Sequence, residues 1–338
     1  MAAPILIVDD EPANLALLRQ ILGPDYGLVF ARSGPEALAA AHKHRPALVL
    51  LDIEMPGMSG YEVCRTLKAA PDTEAIPVIF VTSLSDVGNE TAGFEAGAVD
   101  YIIKPVSPPV VRARVRTHLS LVSAKQLAQS YEDAIYMLGE ASEFKDTDTG
   151  THIWRMAAYS SALARAAGWN DDDCRLLEMA APMHDIGKLA IPDAILHKPG
   201  KLDAPEWTLM QTHSEVGYKI LSKSSAPLLR MAATVARYHH ERWDGQGYPC
   251  GLAGESIPEC ARIAAIADVF DALSSVRPYK PAWPLERVLP TLREGAGSHF
   301  DARLLDMFLD ILPTILEIRD RWQGPDRNPT WHSDFAPI

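Results

Sequence analysis

The sequence predicts an α/β doubly wound fold, a five-stranded parallel sheet, followed by an all-α helical domain. Three observations carry that reading. Short apolar runs in the first third of the chain end in acidic or hydroxyl residues, as Ile5-Leu6-Ile7-Val8 ends in Asp9-Asp10-Glu11. Helical patterns over 14–22 and 34–44 separate those runs, and beyond residue 140 the runs stop and helix punctuation takes over. Apolar runs alternating with helices mark strands buried on both faces of a parallel sheet.

In order, Leu48-Val49-Leu50-Leu51 ends in Asp52, Val78-Ile79-Phe80-Val81 ends in Thr82-Ser83, and Asp100-Tyr101-Ile102-Ile103 ends in Lys104 as a fifth strand. Ligands of this architecture sit beyond the carboxyl ends of the strands, where Asp9, Asp10, Asp52, Thr82 and Lys104 all fall. Three carboxylates at one rim suit a hard divalent cation such as magnesium. Lys104 can pair with a carboxylate or a phosphoryl oxygen. One such aspartate alone would be a helix cap or a solvated loop residue; five polar positions together argue for a site.

Ser107-Pro108-Pro109 starts a helix, and 110–138 holds no proline or glycine. Its stripe Val111, Val115, Leu119, Val122 would pack on the sheet or on a partner helix, the second making a homodimer. Farther on, Asn170 before three aspartates, Asp203 before Pro205, and Asp301 before Leu304 suit helix N-caps. The resulting bundle leaves 191–202 and 244–258 as loops framing an entrance. Trp154, Trp207 and Trp243 are expected in the core, with Trp243 also placed to stack on a base.

Composition excludes several roles. A formal charge of -12 argues against DNA binding, because phosphate backbones are held by excess lysine and arginine. Four cysteines without paired spacing read as reduced structural thiols. The N-terminus lacks a signal-peptide pattern and no 18-residue apolar run exists, so no membrane partner and a cytoplasmic location are expected.

The chemistry concentrates in His184-Asp185 and in His239-His240 with the glycine-rich run behind it. Adjacent imidazole and carboxylate groups, one of them able to bridge, are what two neighbouring cations need. Asp148 and His152 stand at i, i+4 on one helix face, His213 lies in an apolar-periodic run, and Asp268 follows in another. His239 and His240 can reach one centre only where their helix ends, since adjacent helical residues diverge by about 100°. Imidazole and carboxylate ligands without thiolate favour iron, manganese or zinc. A lone histidine of this kind is more often an ordinary core or surface residue, but five of the chain's 11 histidines fall in these segments.

On His184-Asp185 and Gly247-Tyr248-Pro249, residues from about 125 to 320 resemble the HD-GYP family of metal-dependent phosphodiesterases, which open the second messenger cyclic di-GMP. The resemblance implies that His152, His184, Asp185, His213, His239, His240 and Asp268 hold two iron or manganese ions, or three with Asp148, where the family often has glutamate. It also implies that Asp185 and Lys188 serve catalysis and that Arg277, Lys280, Gly247, Tyr248 and Pro249 meet the substrate. The front of the chain resembles the receiver domain of two-component response regulators, a flavodoxin-like fold. By that likeness Asp52 takes phosphate from a sensor histidine kinase. Asp9, Asp10, Asp52 and the Glu54 backbone carbonyl hold magnesium, and Thr82, Tyr101 and Lys104 form the switch.

The expected division is a receiver over 1–123, a connecting helix over 107–140, and a phosphodiesterase domain over 141–338. The expected product is pGpG, or GMP after a second cut, with other signalling proteins as further partners. Two alternatives stand beside it: a general HD-type nucleotide phosphohydrolase, and a regulator that senses cyclic di-GMP or recruits partners with little turnover.

Overall fold

The computed structural model describes residues 3–83, 90–145, 151–275 and 282–322. The chain divides into two compact units, Met1–Ser130 and Tyr131–Ile338.

In the first unit β1 (Ile5–Val8), β2 (Leu28–Ala31), β3 (Leu48–Asp52), β4 (Val78–Ser83) and β5 (Asp100–Lys104) form one parallel sheet in the order β2-β1-β3-β4-β5. Its strands alternate sides. Leu6, Val8, Val49, Leu51 and Phe80 pack with α2 (Gly34–His44) and α3 (Gly60–Ala69), while Ile5, Ile7, Leu48, Leu50 and Val81 pack with α1 (Pro12–Leu22) and Val111 and Val115 of α5 (Pro108–Phe144). Both faces being covered, the runs read as continuously apolar. A short α4 (Glu90–Glu95) precedes β5. The remaining strand, β2, lies at the sheet edge; it is also an unbroken apolar run, Leu28-Val29-Phe30-Ala31, but Phe30 is exposed.

The second unit is helical: α6 (Thr151–Ala166), α7 (Asp171–Ala180), α8 (Asp193–Leu196), α9 (Ala204–Leu221), α10 (Pro227–Tyr238), α11 (Glu259–Ser274), α12 (Leu285–Glu294), α13 (Ala302–Asp310) and α14 (Leu312–Arg321). Asn170, Asp203 and Asp301 cap α7, α9 and α13 with their side chains, as the sequence leads one to expect. Met156, Tyr159, Leu163, Leu177, Ile263 and Phe270 join α6, α7 and α11 in the main core.

Three expectations need correction. The 191–202 stretch is not all loop, because Pro192 leads into the single turn α8. Trp207 is 48% exposed on α9, unlike the buried Trp154, so it is not a core residue. Of the four cysteines, Cys250 is exposed and free. No helix among the described residues is long and apolar enough to cross a membrane.

Candidate metal centre and phosphoacceptor site

The metal-ligating candidates arrive from five places. His152 sits in the first turn of α6, His213 in the middle of α9 and Asp268 in the middle of α11. His184 and Asp185 lie between two 3-10 turns, Ala181–Met183 and Ile186–Ala190, with Asp185 at φ -102° and ψ 11°. That sparsely populated bridge region is common at active sites. His239 caps α10 and His240 follows in the turn, so the helix ends where two adjacent imidazoles must converge.

Backbone contact makes that convergence possible. A Cβ on Gly187 would lie 1.9 Å from the His213 carbonyl oxygen, so only glycine lets the Asp185 segment meet α9. Gly247 likewise would place a Cβ 2.3 Å from Arg242 N. The close approach expected of Gly247 toward a ligand is therefore, in this structure, an approach to its own chain at 240–242.

Two groups result, each with ligand atoms within 4.8 Å of one another: Asp185, His213, His239 and His240, and His152, His184 and Asp268. Asp185 reaches toward both. Its Oδ1 lies 3.2 Å from His213 Nε2 and 3.6 Å from His239 Nε2, and its Oδ2 lies 3.2 Å from His184 Nε2 and 2.7 Å from Lys188 Nζ. His152 Nε2 stands 3.3 Å from Asp268 Oδ1.

The imidazoles are held from behind. His184 Nδ1 meets the Ala181 carbonyl at 3.1 Å, His213 Nδ1 meets Met210 at 2.7 Å, and His239 Nδ1 meets Val235 at 3.1 Å. A carbonyl only accepts, so Nδ1 carries a proton and Nε2 is the nitrogen turned inward. His184 Nε2, Asp185 Oδ1 and His239 Nε2 are buried with no hydrogen-bond partner. Orphaned buried acceptors of this kind are costly unless something binds them. The donor set therefore fits divalent cations.

Electrostatics agree. Burial and the neighbouring His239 hold His240 well below the usual imidazole value, and burial lowers His239, which leaves both neutral for ligation. In the other group burial works against charge on both imidazoles, yet Asp268 and Asp271 outweigh it at His152 and lift that ring to about 10, and Asp185 outweighs it at His184 and raises that ring too. A cation held by His152 Nε2 and Asp268 would compete with a proton at the same nitrogen.

Around the centre, the Tyr248 ring lies 4.8 Å from His240 and 6.1 Å from Trp207. Trp243 lies under the Arg262 guanidinium at 5.6 Å. Pro249 follows Tyr248 in the same loop, half-buried. Asp148, Arg277 and Lys280 lie outside the described residues. Glu241 was not singled out from the sequence; it is buried and accepts from Cys250 N at 2.7 Å and Leu252 N at 3.0 Å, tying the loop down beside the paired histidines. Arg155 was missed as well. Its signal was spacing: Arg155 stands three positions after His152 and Asp271 three positions after Asp268, so each shares a helix face with a charged neighbour.

In the receiver, Asp9, Asp10 and Asp52 form a third group with ligand atoms in mutual reach. Lys104 Nζ bridges it, 3.0 Å from Asp9 Oδ2 and 2.8 Å from Asp52 Oδ2. Burial raises the Asp52 carboxyl above the usual range, and Lys104 offsets part of that rise. Glu54 follows in the loop after β3, its side chain exposed. Thr82 is half-buried near the end of β4; Tyr101 is half-buried on β5, with Phe94 edge-on at 6.4 Å and the Arg114 guanidinium of α5 at 5.7 Å.

Comparison with known proteins matches both units. A response regulator receiver domain model matches residues 5–116, and an HD domain model matches residues 122–304. The chain belongs to the HD domain family, with a receiver domain ahead of it. It is 41% identical to a probable cyclic di-GMP phosphodiesterase of Vibrio cholerae serotype O1, over 94% of this chain and 80% of that one. It is 39% identical to the cyclic di-GMP phosphodiesterase response regulator RpfG of Xanthomonas campestris pv. campestris, over 90% of this chain and 86% of the other. A 3′3′-cGAMP-specific phosphodiesterase 2 of Vibrio cholerae is 44% identical over 57% of this chain and 37% of its own length. The HD domain thus has relatives named for two cyclic dinucleotides.

Proposed function

We propose that this chain is a phosphorylation-controlled response regulator whose HD domain hydrolyses cyclic di-GMP to pGpG, and onward to GMP. The observation that carries this is the set of inward-facing buried atoms without partners, His184 Nε2, Asp185 Oδ1 and His239 Nε2, in two ligand groups that meet at Asp185. Relatives spanning both domains bear the cyclic di-GMP name, which favours that substrate over a general nucleotide.

The ligands would be His213, His239 and His240 for one ion, and His152, His184 and Asp268 for the other, with Asp185 between them. Iron or manganese suits this set, and Asp148 would add a third ion. When bound, paired divalent cations make water a nucleophile at neutral pH and offset charge on phosphoryl oxygens. Lys188, which pairs with Asp185, would stabilise a phosphoryl oxygen or protonate the departing 3′-oxygen. Arg277 and Lys280 would hold the distal phosphate. Gly247, Tyr248 and Pro249 shape the loop that receives the substrate, and the Tyr248 and Trp207 rings offer a surface for a guanine.

Asp52 would accept phosphate from a sensor histidine kinase with magnesium on Asp9, Asp10, Asp52 and the Glu54 carbonyl. Thr82, Tyr101 and Lys104 would respond. We divide the chain into a receiver (1–123), a connecting helix (107–140) and an output domain (141–338) acting in the cytoplasm. Helix α5 is continuous from Pro108 to Phe144, and directly after it Lys145 Nζ donates to the Leu189 and Ile191 carbonyls at 2.8 Å, beside Lys188. That contact supports a route from receiver to metal centre. Exposed Leu121, Leu127, Tyr131 and Leu138 on α5 support pairing with a second copy.

The test is a panel of cyclic di-GMP, 3′3′-cGAMP, ppGpp and deoxynucleoside triphosphates against metal-loaded protein. Release of pGpG from cyclic di-GMP, with ppGpp and the triphosphates untouched, is expected; cleavage of the triphosphates or ppGpp would favour a general phosphohydrolase, and binding without cleavage would favour a sensor.

A further inference from the structure

One imidazole of the metal centre, His152, is backed differently from His184, His213 and His239. His184, His213 and His239 rest Nδ1 on backbone carbonyls. His152 instead donates Nδ1–H to Asp271 Oδ2 at 2.7 Å. Arg155 grips the same carboxylate as a fork, Nε to Oδ1 and Nη2 to Oδ2, both at 2.7 Å. Both residues are buried, Asp271 at 1% and Arg155 at 7% exposure, and Arg155 Nη1 is itself fixed on Thr151 Oγ1 at 2.8 Å.

The chemistry of such an arrangement is directional. A carboxylate behind an imidazole fixes its tautomer, orients the ring and makes the opposite nitrogen a stronger donor to metal. A buried aspartate bonded only to histidine would be poorly compensated, and the guanidinium fork supplies the balancing charge. Because the fork occupies both oxygens, Asp271 is held back from becoming a ligand itself.

We propose that Asp271, locked by Arg155, is a positioning residue for one half of the metal centre. It sets the affinity of the His152, His184 and Asp268 group for its cation and leaves the group built on His213, His239 and His240 untouched. This rests on the metal-centre reading above.

The test is equilibrium dialysis of the full chain against manganese, followed by elemental analysis, with a thermal melt of each sample. Asp271→Asn removes the charge, and the double variant Arg155→Gln/Asp271→Asn removes it without leaving an unpaired guanidinium. Wild type should hold two tightly bound ions beyond the weak one at the receiver's Asp9, Asp10 and Asp52, and in both variants one of the two should stay at wild-type affinity while the other weakens by about 10–100-fold. Two ions held at wild-type affinity in both variants would overturn the proposal. So would loss of both ions together, or failure of both variants to fold, either of which would make Asp271 a general fold determinant. A wild type that binds no ion would instead overturn the metal-centre reading and this inference with it.

Discussion

At the receiver's strand ends, carboxylates gather around a lysine supplied by the chain, whereas in the HD domain imidazoles and carboxylates gather around nothing the chain supplies. Lys104 bridges Asp9 and Asp52, so one charge of that three-carboxylate rim is offset before any cation arrives. In the HD domain Lys188 reaches one oxygen of Asp185, while Asp185 Oδ1, His184 Nε2 and His239 Nε2 stay buried and unpartnered. On the function proposed above, the receiver would take a weak, exchangeable cation that leaves room for phosphate, and the HD domain would take ions that belong to the fold.

The contrast breaks most severely at Asp185. Asp185→Ala removes the one carboxylate facing both ligand groups, and turnover of cyclic di-GMP should fall on the order of 10³-fold or more together with the metal content. Near-wild-type turnover would show that the two groups act separately.

Metal removal comes next. A ligand present at about 1,000 times its dissociation constant stabilises the folded state by about 4 kcal/mol. Stripping metal should therefore lower the melting temperature of the HD domain by several degrees, and withdrawing magnesium should move the receiver transition much less. Calorimetry resolving the two transitions checks this.

Smaller still is a pH effect visible only without metal. His152 binds its proton more tightly in the folded chain than at the ordinary imidazole value, being lifted to about 10. Its contribution to stability is thus complete below about pH 6.5 and is lost as pH rises through about 10. Metal-free protein should melt progressively lower from pH 7 to 10, and metal-loaded protein should not follow, because the cation has displaced that proton. Parallel curves would contradict the exchange of proton for metal.

The smallest expected effects concern the link between the sites. Asp52→Asn should abolish any change in turnover on adding a phosphoryl donor. Lys145→Met should keep metal content and basal turnover near wild type while weakening that response by a few fold, roughly the loss of one or two hydrogen bonds. An undiminished response would place the coupling elsewhere than the Leu189 and Ile191 carbonyls.

Legibility in the sequence followed physical locality. The central strands were readable because burial on both faces forces unbroken apolar runs, and the N-caps at Asn170, Asp203 and Asp301 because capping is a contact across three residues. The histidines that gather in the two groups were readable because each stands in a distinctive local setting. What sequence could not show was contact between segments far apart, such as the Arg155 fork on Asp271 or the Lys145 grip on the segment after Lys188. Gly247 illustrates the same limit: glycine signals a close approach without naming what approaches, and one partner here is the chain's own backbone at 240–242.

The central claim is that buried imidazoles and carboxylates of the HD domain cage a pair of ions. Elemental analysis of full-length chain, purified without added metal and dialysed against metal-free buffer, tests it most directly. About two iron or manganese ions per chain should survive dialysis while magnesium washes out of the receiver, as expected where buried imidazoles meet carboxylates and where a hydrated cation sits at an open rim. A chain that emerges with no transition metal, and takes none up when it is offered, would contradict the account.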